Sequence, residues 1–205
     1  MKKFIAAILA AALLVTGIQI PADTQKAEAA TITTGSALSL NDICKEEQSI
    51  LKQRASEGYD SLTDGDDLIV CIDPGHGGSD SGAVGSSKYY EKNLNLKISL
   101  YMAAKLEQYS GVKVFFTRTD DTYVGLAERA AIADKYNADV FISIHLNSAA
   151  ASAKGSEVYY PNSSYKPSLS TKGKTLASNI LDKLTSEAGT TRRGIYVRNS
   201  QTGST

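Results

Sequence analysis

The stretch Leu68-Ile-Val-Cys-Ile72 runs directly into the turn sequence Asp73-Pro-Gly-His-Gly-Gly78. A continuous apolar run of this length, bounded by turn residues, predicts a strand that is buried on both faces of a sheet. Pro74 and the glycines end the strand, because proline lacks a backbone N–H and glycine adopts backbone angles that other residues resist. The pattern therefore places His76 at the carboxyl end of a central strand, where open α/β sheets bind their ligands.

A second histidine occupies the same kind of position. The chain contains two histidines, and His145 directly follows the apolar run Val140-Phe-Ile-Ser-Ile144. We therefore expect two strands to deliver one imidazole each at the same type of strand end.

Helical and extended patterns alternate along the rest of the chain. Apolar residues at every fourth position predict a helix that opens at Glu91 and ends before Gly111; they are Leu94, Ile98, Met102 and Leu106. Further predictions are strands over 112–117, 155–160 and 194–197, helices over 126–136 and around 176–184, and a polar loop over 161–170. This alternation predicts an α/β fold in which helices cover both faces of a sheet.

The N-terminal residues 1–29 have the layout of a secretory signal peptide. Two lysines precede an apolar run over 4–15, and Ala27-Glu-Ala29 offers a cleavage site of the small-x-small type. A membrane anchor is the alternative, but the apolar run falls short of the about 20 residues that span a bilayer. We expect residues 1–29 to be removed, 30–66 to form a linker with a short helix, and 67–205 to form the folded domain.

The charge and the composition of the chain limit the kinds of molecule that it is expected to bind. The chain has 22 basic and 22 acidic side chains, so its formal net charge is zero. A balanced surface gives no electrostatic reason to bind nucleic acid or an anionic membrane. The hydrophobic content of 42% is that of a globular protein.

The chain contains two cysteines, Cys44 and Cys71. They can pair in an exported protein. Cys71 lies inside the predicted buried strand, however, and is more simply explained as a small core residue.

His76, Glu91 and His145 supply two imidazoles and one carboxylate from three separate predicted elements. This donor set suits Zn²⁺, which takes three protein ligands at catalytic sites and keeps a fourth position for water. In the alternative interpretation each histidine is hydrogen-bonded in its loop, and Glu91 is a helix N-terminal acid that the helix dipole favours. Spacing alone leaves both interpretations open.

An ordered set of motifs resembles one known family. The set comprises Asp73-Pro-Gly-His-Gly-Gly78, Glu91 at the head of a leucine-rich helix, Arg118-Thr-Asp120, Leu126-x-x-Arg129, Ser143-Ile-His-Leu-Asn147 and Gly155-Ser-Glu-Val-Tyr-Tyr160. From Leu68 onward the chain resembles the zinc-dependent N-acetylmuramoyl-L-alanine amidases of the amidase-3 family, which are bacterial cell-wall hydrolases. The resemblance implies a three-layer αβα sandwich around a mixed, mostly parallel sheet, with Zn²⁺ held by His76, Glu91 and His145.

The resemblance also implies a reaction, a partner and a location. The expected reaction is hydrolysis of the amide between N-acetylmuramic acid and the first alanine of the peptidoglycan stem peptide, outside the cell. No nucleic acid and no stable membrane insertion after signal cleavage are expected. Two alternatives remain: a non-catalytic, zinc-containing fragment that binds peptidoglycan, and a zinc peptidase that cuts within the stem peptide.

In this family, a glutamate that follows a late strand takes the proton from the attacking water. In this sequence that glutamate is expected to lie beyond Thr205, so that the catalytic domain over 67–205 is expected to lack its last strand. Glu157 is a weak candidate for the base, and its place within a strand favours a structural role. Asn147 and Ser148 are candidates for substrate contacts, or else they shape the turn after His145.

Other polar and aromatic residues have weaker predictions. We expect Arg129 to act in an ion pair or in packing rather than in catalysis. Asp73 is predicted either to orient His76 as a hydrogen-bond acceptor or to cap the turn. Tyr89 and Tyr90 are predicted either to line a groove for glycan or peptide or to pack in the core.

Overall fold

The computed structural model describes residues 67–85, 89–149, 152–162 and 167–197. The elements of this part of the chain are, in order, β1 (Leu68–Pro74), α1 (Glu91–Leu106), β2 (Val112–Phe116), α2 (Leu126–Lys135), β3 (Val140–Ile144), β4 (Ser156–Tyr160), α3 (Pro167–Ser186) and β5 (Arg192–Val197). Each of them overlaps an element that the sequence predicted.

One predicted boundary is wrong. The polar loop expected over 161–170 ends early, because α3 already begins at Pro167. Proline is tolerated in the first helical turn, where the N–H that it lacks would have no partner within the helix. Leu169 in the same turn is buried, so the start of α3 is packed against the core.

Strands β1, β2 and β3 form a parallel sheet with β1 in the centre. Cys71 in β1 lies opposite Phe115 in β2 and Phe141 in β3. Parallel neighbours need a crossover connection, and α1 and α2 provide the two crossovers. At the carboxyl edge Pro74 pairs with Ile144, so the segments after β1 and β3 emerge side by side.

Helices cover both faces of this sheet. On one face Ile72 belongs to a cluster with Leu100 of α1 and Leu181 of α3. On the other face Cys71 packs in a cluster with Ala133 of α2. Full burial of a side chain such as Ile72 stabilises the fold by about 1.5–3 kcal/mol. The predicted α/β fold is therefore confirmed, and β1 is buried on both faces as its sequence indicates.

Strands β4 and β5 form a second, two-stranded parallel sheet. Its inner face joins the same core through Val158, which is fully buried beside α3. The pairing contains a bulge: Ser156 pairs with Arg192, but Glu157 pairs with Gly194, so Arg193 is an extra residue on β5. Gly194 has a φ of 149°, a backbone conformation that residues with side chains rarely adopt.

Several predictions lie outside the described residues, namely the signal peptide over 1–29, the linker and helix over 30–66, and Cys44. Cys71 is a free thiol with no exposed surface. Burial, followed by the nearby charge of Asp73, raises the pKa of this thiol. Within the described residues no helix combines the length and the apolar character that a membrane crossing requires.

Candidate metal centre

The loop after β1 presents His76 in a left-handed backbone conformation, with a φ of 63°. Residues other than glycine adopt such conformations at a cost of about 1–3 kcal/mol, and they concentrate at functional sites. Two buried arginines hold the loop through its carbonyl groups. Arg129 donates to the oxygens of Pro74 and His76, and Arg118 donates to those of Pro74 and Gly75. These hydrogen bonds offset the backbone strain.

Three ligand-type atoms converge at the carboxyl edge of the parallel sheet. His145 Nδ1 lies 3.1 Å from His76 Nε2 and 3.2 Å from Glu91 Oε1. His76 Nε2 lies 3.3 Å from the same Glu91 oxygen. The two imidazole rings meet edge to face, with their planes at 81°. The fold thus brings together the three side chains that the sequence singled out, in a group able to hold a metal ion.

The spacing of these atoms fits a small tetrahedral ion. Nitrogen and oxygen ligands lie about 2.0–2.1 Å from Zn²⁺, so two ligands of a tetrahedral ion are about 3.3 Å apart. The three separations of 3.1, 3.2 and 3.3 Å match that edge. Ca²⁺ and Mg²⁺ prefer sets of oxygen ligands, so the two imidazoles favour a transition metal or zinc.

Glu91 is buried at the first turn of α1, where the helix dipole favours a negative charge. Its Oε2 accepts from the backbone N–H of Ala83 at 2.9 Å, and its Oε1 accepts from that of Leu146 at 2.7 Å. Burial raises the pKa of Glu91, but these two hydrogen bonds and the neighbouring imidazoles together outweigh it and lower the pKa. The carboxylate is therefore held ionised, as a metal ligand must be.

His145 follows β3 and lies flat against the backbone of Gly75. A Cβ atom on Gly75 would come within 2.4 Å of His145 Nε2, so only glycine leaves room for this imidazole. Burial lowers the pKa of His145, and the adjacent His76 lowers it further. His145 is therefore in its neutral, metal-binding form at neutral pH.

The second nitrogen of His76 contacts an aspartate that the sequence analysis did not single out. His76 Nδ1 lies 2.8 Å from Asp80 Oδ2. A carboxylate on the outer nitrogen fixes the tautomer and the orientation of a metal-binding histidine. The hydrogen bond with His76, aided by one from the N–H of Gly82, lowers the pKa of Asp80. The signal for this contact was an acid four residues after the histidine in a glycine-rich turn.

Asp73 does not take the role of orienting His76 that the sequence suggested. It is buried and accepts from the hydroxyl groups of Thr117 and Ser143 at 2.5 and 2.6 Å. Its Oδ1 also lies 2.6 Å from Nη1 of Arg129 in an ion pair. The expectation that Arg129 acts in an ion pair is confirmed.

The remaining candidate residues lie close in sequence to the candidate metal ligands His145 and Glu91. Asn147 and Ser148 are exposed, two and three residues after His145. Tyr89 and Tyr90 are 65% and 41% exposed, which excludes the prediction that they pack in the core.

Glu157 is engaged by neighbouring donors. It accepts from the side chains of Asn147 and Tyr159 and forms an ion pair with Arg193.

The fold and the cluster together define an α/β protein with a candidate His–Glu–His metal centre at the carboxyl ends of parallel strands. A family model, that of Amidase_3, described as N-acetylmuramoyl-L-alanine amidase, matches residues 70–203. The chain belongs to this family.

Individual relatives match parts of this chain. Protein YqiI of Bacillus subtilis (strain 168) is 44% identical over 126 residues, which are 62% of this chain and 58% of YqiI. N-acetylmuramoyl-L-alanine amidase LytC of the same strain is 41% identical over 127 residues, which are 62% of this chain and 24% of LytC. The chain therefore spans less than two thirds of both relatives.

Among solved structures, the crystal structure of N-acetylmuramoyl-L-alanine amidase from Clostridium difficile 630 is similar. It has a TM-score of 0.60 and 38% sequence identity, and the match covers 66% of this chain and 72% of that one.

Proposed function

We propose that this chain hydrolyses the amide bond between N-acetylmuramic acid and L-alanine in peptidoglycan, with Zn²⁺ held by His76, Glu91 and His145. The observation that carries the proposal is the set of 3.1–3.3 Å separations among the three ligand atoms, found in a member of the Amidase_3 family. LytC and the Clostridium difficile protein carry this activity in their names.

An amide is a poor electrophile, and bound Zn²⁺ polarises a carbonyl group and lowers the pKa of water towards about 7. The chain's own residues prepare for this role. Glu91 is held ionised by two backbone N–H groups, and Asp80 orients His76. The neutral form of His145 completes the ligand set.

Hydrolysis also needs a group that takes the proton of the water and passes it to the leaving amine. We assign Glu157 no such role, because both of its oxygens already accept hydrogen bonds from neighbouring side chains. Asn147 and Ser148, exposed two and three residues after His145, are proposed to contact the substrate.

We further propose that the protein acts in the cell wall, outside the cytoplasmic membrane, with peptidoglycan as its partner. The signal-peptide pattern over 1–29 and the similarity to LytC, which is named an N-acetylmuramoyl-L-alanine amidase, support this location.

The test uses the full chain, loaded with zinc, on purified peptidoglycan. We expect new amino-terminal alanine to appear, to stop with a chelator and to return when zinc is restored. His76→Ala should lose both zinc and activity, whereas Lys183→Ala on the exposed face of α3 should keep both. Bound zinc without new alanine termini would contradict hydrolysis and favour a binding fragment. New termini within the stem peptide would instead indicate a peptidase.

A further inference from the structure

Three consecutive residues at the metal centre each have a different anchor. The imidazole of His145 belongs to the ligand cluster. The backbone N–H of Leu146 donates to Glu91 Oε1 at 2.7 Å. The side-chain Nδ2 of Asn147 lies 2.5 Å from Glu157 Oε1. The segment that leaves β3 is therefore fixed through its third residue, although Asn147 itself is exposed.

The Glu157 side chain, which contacts Asn147, is itself held by two further hydrogen bonds. Its Oε1 also accepts from the hydroxyl of Tyr159 at 2.9 Å, and its Oε2 accepts from Arg193 Nε at 2.8 Å. The Glu157 side chain is only 11% exposed. Three donors thus converge on one carboxylate, which leaves it little freedom to turn.

The bulge in the β4–β5 sheet explains why Arg193 reaches Glu157. Arg193 is the extra residue between the pairs Ser156–Arg192 and Glu157–Gly194, and a bulge re-aims the side chain of its extra residue. The carbonyl of Arg193 accepts from the hydroxyl of Tyr196 at 2.9 Å, which secures the bulge.

The chemistry of the contact decides which group of Asn147 faces Glu157 and which faces away from it. An ionised carboxylate only accepts hydrogen bonds, so the group of Asn147 that faces Glu157 is its NH₂. The amide oxygen, Oδ1, must then point away from Glu157. A carbonyl oxygen in this position accepts from N–H donors and offers nothing to acceptors.

We infer that Glu157 is a positioning residue: through Asn147 it presents a fixed hydrogen-bond acceptor beside the metal centre for a backbone N–H of the stem peptide. The identity of the donor rests on the proposed function, whereas the orientation of Asn147 does not. The inference gives Glu157 a task other than that of a general base.

The isosteric variant Glu157→Gln tests the orientation. Arg193 can only donate, so the amide oxygen of Gln at position 157 would turn towards Arg193 and its NH₂ towards Asn147. Asn147 would then flip and present its own NH₂ where the oxygen had been. Additional replacement of Arg193 by Leu releases the new glutamine to turn its oxygen back to Asn147 and should restore the original orientation.

The first readout is independent of activity. In the zinc-loaded, isotope-labelled full chain, NMR contacts should place the Asn147 NH₂ protons beside Tyr159 in the wild type and away from it in Glu157→Gln. Unchanged contacts in that variant would overturn the inferred orientation. This measurement stands whether or not the chain hydrolyses peptidoglycan.

The second readout uses a soluble N-acetylmuramoyl-L-alanyl peptide as the probe. Asn147→Ala and Glu157→Gln should each raise KM about tenfold, the loss of roughly one hydrogen bond, with kcat and zinc content nearly unchanged. The double variant with Arg193→Leu should recover much of the loss, and Glu187→Gln on α3 should match the wild type. If the wild type does not turn over the probe, its Kd takes the place of KM. A collapse of kcat at constant KM in Glu157→Gln would overturn the positioning role.

Discussion

Asp73 and Arg129 form a buried ion pair beneath the loop that carries His76, with 2.6 Å between Oδ1 and Nη1. Asp73 is the penultimate residue of β1 and Arg129 lies on α2, so the pair ties the central strand to the helix on one face of the sheet. The same guanidinium donates to the carbonyl of His76 at 2.8 Å. The ion pair therefore links the core to the backbone of a candidate metal ligand.

Removal of one member of this pair should be costly. Arg129→Met keeps much of the side-chain volume but leaves Asp73 buried without its cation, so we expect a loss of about 3–5 kcal/mol in the free energy of unfolding. Urea denaturation measures it. The control is Lys183→Met, which removes an exposed pair with Glu187 and should cost less than about 1 kcal/mol. Equal losses in the two variants would refute the structural role of the Asp73–Arg129 pair.

The contact between Asp80 and His76 should tune metal affinity more than stability. Because Asp80 fixes the outer nitrogen of His76, Asp80→Ala should weaken zinc binding by about 10–100-fold. Competition with a chromophoric chelator measures this change. Asp121→Ala is the matched control, since Asp121 is an exposed carboxylate that contacts Lys92 and Gly78 instead of His76. The prediction fails if both variants bind zinc equally well.

A single methyl group should displace His145. In Gly75→Ala the new Cβ would come within 2.4 Å of the imidazole, so we expect destabilisation of about 1–3 kcal/mol, typical of overpacking, together with weaker zinc binding. Gly85→Ala provides the control, because its Cβ meets nothing closer than 3.6 Å. Thermal melts and zinc titrations of both variants give the answer, and normal zinc binding by Gly75→Ala would show that His145 has room to move.

The ion pair between the largely buried Lys92 and the exposed Asp121 predicts a small dependence of stability on pH. The hydrogen bond from Lys92 is the main cause that lowers the pKa of Asp121. Burial opposes it, and the hydrogen bond from the N–H of Gly78 adds a smaller lowering. An aspartate has a pKa of about 3.9 in the unfolded chain. Its contribution is therefore fully present above that pH and is lost as the pH falls through the lower pKa of the folded state.

Asp121→Asn should accordingly lower stability by less than about 1 kcal/mol at neutral pH, because the Asp121 carboxylate is itself exposed to solvent. Melting temperatures of the wild type and the variant, measured from pH 7 down into the acid range, should converge. A difference that stays constant in acid would mean that the Asp121 charge is not its source.

The pattern of apolar residues predicted most of the fold. The run Leu68-Ile-Val-Cys-Ile72 predicted a strand buried on both faces, and its neighbours on the sheet follow from the alternation of strands and helices. The pairing of β4 with β5 in a separate sheet was not predicted. A periodic pattern shows which residues form strands but not which strands pair.

The candidate site was also predictable only in part. The sequence indicated His76 and His145 because each follows an apolar strand within two residues. The contacts that hold them were not visible, since Arg118 and Arg129 reach carbonyl groups that lie 43–55 residues away in sequence. Hydrogen bonds to backbone carbonyls put no demand on the type of the accepting residue, so no motif marks that end of the contact.

The three candidate ligands come from a loop, a helix and a strand end that meet only in the folded chain. An ion held by them would join three points of the chain, positions 76, 91 and 145. It would act as a reversible cross-link that closes the two intervening segments into loops. Because such an ion binds the folded state, metal at about 100 times its Kd would stabilise the fold by about 2.7 kcal/mol. Metal supply would then govern how long the folded chain persists as well as what it can do.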